Sequence, residues 1–121
     1  MAVLVTREQR GVNHLLVLPQ KHYPTILEVP DSNAADLLIA VRDAALAISL
    51  TTEPKGIAVW QNNGVPAHQA IAHLHFHVAG TLPGGGTDLG VVSELPLSST
   101  SLIASKLAPN VPPRPGRRIE A

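Results

Sequence analysis

Residues 73 to 80 read HLHFHVAG, and no other stretch constrains the fold as strongly. His73, His75 and His77 alternate with Leu74, Phe76 and Val78. A period of two is the strand period, which puts the imidazoles on one face and the apolar side chains on the other. The apolar face needs a core to bury it. Half of the chain's six histidines stand on the opposite face, which is a concentration that composition alone does not produce.

Three accounts of that row compete. The first is a solvated face, on which any polar residue would serve. The second is a metal site. Along a straight strand at ~3.3 Å per residue, His73 and His77 stand ~13 Å apart, too far for one ion with bonds of ~2 Å to take both. A metal would then need ligands from elsewhere. The chain has no cysteine, and the nearest acids, Asp88 and Glu94, lie beyond a glycine-rich stretch. The third is an extended anionic substrate such as a phosphate chain. Neutral imidazole is nucleophilic near pH 7, and its neighbours can donate hydrogen bonds or protons.

The rest of the chain bounds these readings. Its 121 residues suit one domain. Apolar residues make up 45% but aromatics only 2%, so the core is aliphatic. The formal net charge of zero offers no basic field for a nucleic-acid polymer. The lack of cysteine removes disulfides, thiolate metal sites and thiol nucleophiles. No apolar run reaches membrane-span length and the N-terminus lacks a signal-peptide core, so a cytoplasmic protein is expected.

Segments 2–6 and 14–18 read as Val- and Leu-rich strands joined by a turn at 10–13, with Pro19 ending the second. Asp31 or Ser32 is expected to cap a helix running to about Leu50, with an apolar stripe of Leu37, Leu38, Val41, Ala44, Ala45 and Ile48. Strands follow at 56–61 and 72–79, separated by the Asn-Gly loop 62–67. A short helix is expected over about 99–107. The order predicts an α+β fold: an antiparallel sheet of about five strands with one long helix packed on it. The domain is expected to span 1–108. Residues 109–121 read as a Pro-rich basic tail, extended or disordered unless it docks, with Arg114, Arg117 and Arg118 solvated.

The stretch HLHFHVA resembles the signature of the histidine triad superfamily, His-apolar-His-apolar-His-apolar-apolar. QNNGVPAHQAIA, before it, resembles that family's Asn-Gly loop with a Gln four residues ahead of the first histidine. NHLLVLPQKH resembles the family's earlier strand motif, and one predicted helix separates the two blocks, as the family's fold requires. The resemblance implies a nucleotidyl hydrolase or transferase acting on nucleoside phosphoramidates or dinucleoside polyphosphates. His75 would be the nucleophile that becomes nucleotidylated. His77 would bond phosphoryl oxygens, and His73 would join His14 in a supporting network. Asn62 and Gln69 would hold phosphate oxygens, and Thr6 would face the ribose. His22 reads as surface. No cofactor is required, with Mg²⁺ accompanying a polyphosphate as the one candidate ion. The expected partners are a nucleotide substrate and a second copy of the chain, in a homodimer.

Three departures qualify the activity. Family members carry a further N-terminal strand, often with a helix, beside the nucleoside pocket. Ala70 stands where a Ser or Thr is usual, and Thr6 where Asp or Asn is usual. These departures keep a second reading open, a nucleotide-binding module with little or no turnover.

Overall fold

The computed structural model describes residues 1–121. Five strands form one sheet: β1 (Ala2–Val5), β2 (Val12–Leu18), β3 (Ile57–Trp60), β4 (Phe76–Gly80) and β5 (Arg118–Glu120). Their order is β3-β4-β2-β1-β5. Every pairing is antiparallel except β1 with β5. Two helices complete the fold, α1 (Asp31–Thr52) and α2 (Leu97–Leu107). The α+β class, the five strands and the long packed helix all agree with expectation.

The core lies between the sheet and α1. Val3, Val5, Leu15, Val17 and Val78 point from the strands to Leu37, Ala40, Val41, Ala44, Ala47 and Ile48 of the helix. Spacings of three and four keep these helix residues on one face, and three alanines let the helix sit close to the sheet. Leu38 is not in this stripe. It is 69% exposed, because it falls about 100° around the helix from Leu37. The N-cap is Pro30, without a side-chain cap, and Asp31 is the first helical residue, where its charge suits the helix dipole. Glu53 ends the helix in a left-handed conformation, and Pro54 prevents its continuation.

The histidine stretch is only partly strand. β4 begins at Phe76, so His73 and His75 lie on its approach and only His77 within it. The Leu74 amide donates to the Tyr23 carbonyl (2.7 Å) and takes up the backbone group that a ladder would have used. Alternation still holds at the side chains, since Leu74 and Val78 are fully buried in the core.

The expected tail is ordered. β5 runs parallel to β1, with Ala2 opposite Arg118 and Val3 opposite Ile119. Arg114 makes a two-pronged contact with Asp43 of α1, at 2.9 and 3.3 Å, and Arg117 donates to the same carboxylate. Asp43 has no exposed surface and the Arg117 side chain only 6%. A buried carboxylate requires partners, and these two arginines satisfy it. Of the three arginines expected to be solvated, Arg117 is buried, Arg114 stays 41% exposed while it binds Asp43, and Arg118 lies exposed beside Glu120.

Candidate active site

The site is assembled on the sheet face opposite the core. Trp60 of β3 stands directly across from His77 of β4, and Leu16 of β2 flanks His77 on the other side. A bulge interrupts β2 just before this point: Asn13 and His14 together oppose Ala79. Asn13 takes a left-handed conformation (φ 53°), which asparagine tolerates better than most residues. Gly11 is required beside it, because a Cβ there would lie 2.5 Å from the Gly80 carbonyl oxygen. The bulge tilts His14 toward His77, and Gln9 secures it by accepting from the His14 amide and donating to its carbonyl, each at 2.9 Å.

Backbone groups fix the protonation of these rings. The Arg10 amide donates to His14 Nδ1 (3.1 Å), so the His14 proton sits on Nε2. That Nε2–H donates to His77 Nδ1 at 3.0 Å. A neutral His77 must then carry its own proton on Nε2. His75 has the opposite polarity. Its Nδ1 lies 2.8 Å from the His73 carbonyl, which can only accept, so a neutral His75 carries its proton on Nδ1 and its lone pair on Nε2. The adjacent rings, 5.1 Å apart between centroids, thus present a lone pair on one and an N–H on the other.

A separate pair orders the approach to β4. His73 Nε2–H donates to the Pro19 carbonyl (2.8 Å), leaving Nδ1 to accept from His22 Nδ1–H at 3.0 Å. His73 therefore joins His22, not His14, and His22 lies on the surface as expected while bonding His73. The correction follows from the late start of β4, which leaves His73 beside the segment after β2.

Electrostatics favour neutral rings. Burial is the main cause holding His77 down at about 3, with His14, His75 and Arg10 adding to it. Burial also lowers His14 to about 4, assisted by the Arg10 charge and opposed by a Glu8 backbone contact.

The remaining sequence candidates divide. Asn62 follows the end of β3 by two residues, as His75 precedes the paired His77 by two, and its carbonyl accepts from Gln61 while its side chain makes no hydrogen bond. Gln69 is not free to hold phosphate. Its oxygen accepts from the Gly64 amide (2.7 Å), and its nitrogen donates to the Pro24 and Ile71 carbonyls (2.6 and 2.9 Å). It is buried as the clamp of the 62–72 loop. Thr6 closes the turn after β1, where its hydroxyl accepts from the Glu8 amide.

Sequence reasoning did not single out Gln9, Arg10 or Trp60. The indole of Trp60 lies flat on His77, with centroids 4.8 Å apart and planes 2° from parallel, and it touches His14 at 5.0 Å. Its place two residues before the Asn-Gly loop was the only available signal.

The chain matches the HIT domain over residues 2–83. It belongs to the HIT domain family. An adenosine 5'-monophosphoramidase of Candida albicans is 36% identical over 69 residues, which cover 54% of this chain and 45% of that one. A second adenosine 5'-monophosphoramidase, from Schizosaccharomyces pombe, is 40% identical over 65 residues, 54% of this chain and 46% of that one. The chain thus spans about half the length of these curated HIT relatives. A crystal structure of a HIT-like protein from Bartonella henselae superposes with a TM-score of 0.77, covering 86% of this chain and 75% of that one. At 24% identity that likeness concerns the HIT fold alone.

Proposed function

We propose that this protein is a nucleotidyl hydrolase or transferase that works through a nucleotidyl-His75 intermediate. The observation that carries the reading is the 2.8 Å contact between His75 Nδ1 and the His73 carbonyl. In a neutral His75 that contact leaves the lone pair on Nε2, beside the N–H that a neutral His77 carries. In the first step, the Nε2 lone pair attacks the α-phosphorus. The bond from phosphorus to the leaving nitrogen or oxygen breaks, its electron pair departs with that group, and a leaving nitrogen takes up a proton from solvent, which the second step returns. Positive charge growing on the His75 ring is stabilised through Nδ1–H by the His73 carbonyl. Negative charge on the phosphoryl oxygens is met by the His77 Nε2–H and by Asn62. In the second step, water attacks phosphorus. The N–P bond returns its electrons to Nε2, and the water proton is released as the nucleoside monophosphate leaves.

Nucleoside phosphoramidates are the favoured substrates, given the two monophosphoramidase relatives. Dinucleoside polyphosphates contain the same α-phosphorus and are the second class. No step calls for a metal, and Mg²⁺ would serve only to neutralise a polyphosphate. The test is incubation with adenosine phosphoramidate, followed by mass spectrometry of the His75 peptide. An adenylyl adduct that is absent from His75→Ala supports the enzyme.

Ala70 favours a second reading. It leaves the exposed loop before the histidines without a hydroxyl. A nucleotide that binds without an adduct or turnover would make the protein a binding module.

A homodimer is also proposed. The α1 groove of about 290 Å³ is lined entirely by apolar side chains, including Leu37, Leu38, Val41 and Phe76, and β3 is an unpaired edge. Isologous pairing would cover both. Light scattering that shows a monomer at micromolar concentration would exclude it.

A further inference from the structure

We propose that Trp60 is a positioning residue for His77: its indole covers one face of the imidazole, fixes the ring plane and excludes water from that face. The inference rests on the enzyme reading for its kinetic consequences, but its structural content is independent of that reading.

The geometry has three parts. Trp60 and His77 are directly paired across β3 and β4, so their side chains leave the sheet side by side. Their rings are parallel within 2° at 4.8 Å, whereas all the other ring pairs at the site are tilted or edge-on. The indole also touches His14, the residue that donates to His77 Nδ1. Trp60, His14 and His77 therefore form a three-ring cluster with centroids 4.8 to 5.2 Å apart. The face of the indole that lies on His77 is not available to a nucleobase, so this face serves the catalytic ring and not substrate stacking.

Two effects of such a stack oppose each other. An imidazolium over an indole face gains a cation–π attraction, which would favour charging His77. An apolar plate over the ring also removes water, which favours the neutral form. The groups around His77 decide between them. His14 faces it from β2, His75 from β4 and Arg10 from the turn between β1 and β2, while β3 contributes only the uncharged Trp60. Every charge or potential charge in that set disfavours a proton on His77. Burial is the largest cause holding His77 neutral, so loss of water outweighs the cation–π attraction, and Trp60 denies water access from one side.

The test separates this role from a simple substrate wall. Histidine ring NMR on the full chain follows the charge of His77 without any turnover. In the wild type the ring should show its neutral signature at pH 5. Trp60→Phe keeps a flat ring on the strand and should preserve that signature. Trp60→Leu admits water and should leave His77 substantially protonated at pH 5. In activity assays Trp60→Leu should lower kcat roughly tenfold or more with little change in KM, and its acid limb should move to higher pH. The chain has a single tryptophan, and a stacked imidazolium quenches indole emission, so fluorescence gives a second record of wild-type His77 charge. A neutral His77 at pH 5 in Trp60→Leu, or a rise in KM alone, would overturn the proposal. If Trp60→Leu fails to fold, Trp60→Phe decides: a charged His77 at pH 5 in that variant also overturns it. Should no adenylyl adduct ever form on His75, the NMR result would still stand and only the enzyme reading would fall.

Discussion

His14 Nε2 lies 3.0 Å from His77 Nδ1, and the Arg10 amide on the far side of His14 dictates which ring supplies the proton. One backbone N–H thereby orients two imidazoles in series. His14→Ala would free His77 to move its proton to Nδ1 and turn a lone pair toward the phosphoryl oxygens. The expected loss in kcat is on the order of tenfold to a hundredfold. His14→Gln keeps a side-chain N–H and should recover part of it. Steady-state kinetics on both variants check this, and equal losses would discount the relay.

His75→Ala should abolish the covalent route while the protein remains folded. The expected loss of rate is on the order of a thousandfold or more. Single-turnover assays with circular dichroism check both parts. Greater damage from His73→Ala would mean that the nucleophile is misassigned.

Acid should destabilise the protein in two windows. His14 and His77 are held at about 4 and about 3, below the ordinary 6.5. In the unfolded chain they would take up protons earlier, so their contribution is complete above about pH 6.5 and is lost as pH falls toward 3. The pair titrates as a coupled unit, so the loss belongs to both residues together. Burial raises the Asp43 pKa, but the hydrogen bonds and charges of Arg114 and Arg117 outweigh it and hold Asp43 at about 2, below 3.8. Its contribution is present above about pH 4 and disappears as pH falls through 2. Urea denaturation across pH 7 to 3 should show the first decline. His14→Phe should flatten it, and a flat wild-type profile would contradict it.

Asp43→Ala should be among the most damaging substitutions away from the site. It leaves Arg117 buried without its carboxylate, at a cost of roughly 3–5 kcal/mol. β5 is tied to α1 by Arg114 and Arg117, so the same variant should expose residues 112–121 to protease. Denaturant midpoints and limited proteolysis provide the measurements.

Gln69→Ala and Asn62→Ala should separate structure from substrate contact. Gln69 uses its whole amide on the loop, so its loss should lower stability by about 1–3 kcal/mol. Asn62→Ala should leave stability nearly unchanged and weaken catalysis. The reverse pattern would restore Gln69 as a phosphate ligand.

The sequence by itself determined the family, the α+β class, both helices and the three histidines, because period two, period 3.6 and proline or glycine stops are local rules. It also determined the apolar side of 74–78, since Leu74 and Val78 had nowhere to go but inward. Tertiary structure alone decided the rest. Nothing local marks Asp43 as buried, and it is enclosed by Arg114 and Arg117, some seventy residues later. The parallel pairing of β5 with β1 has no local signal, because nothing in Arg118–Glu120 specifies its partner. The division of the histidines into a His14–His77 pair and a His22–His73 pair depended on where β4 begins and on a one-residue bulge in β2. Trp60 acquired its role only through cross-strand register. Periodicity fixes which face a side chain takes, whereas register, bulges and long-range ion pairs fix which side chain it meets there.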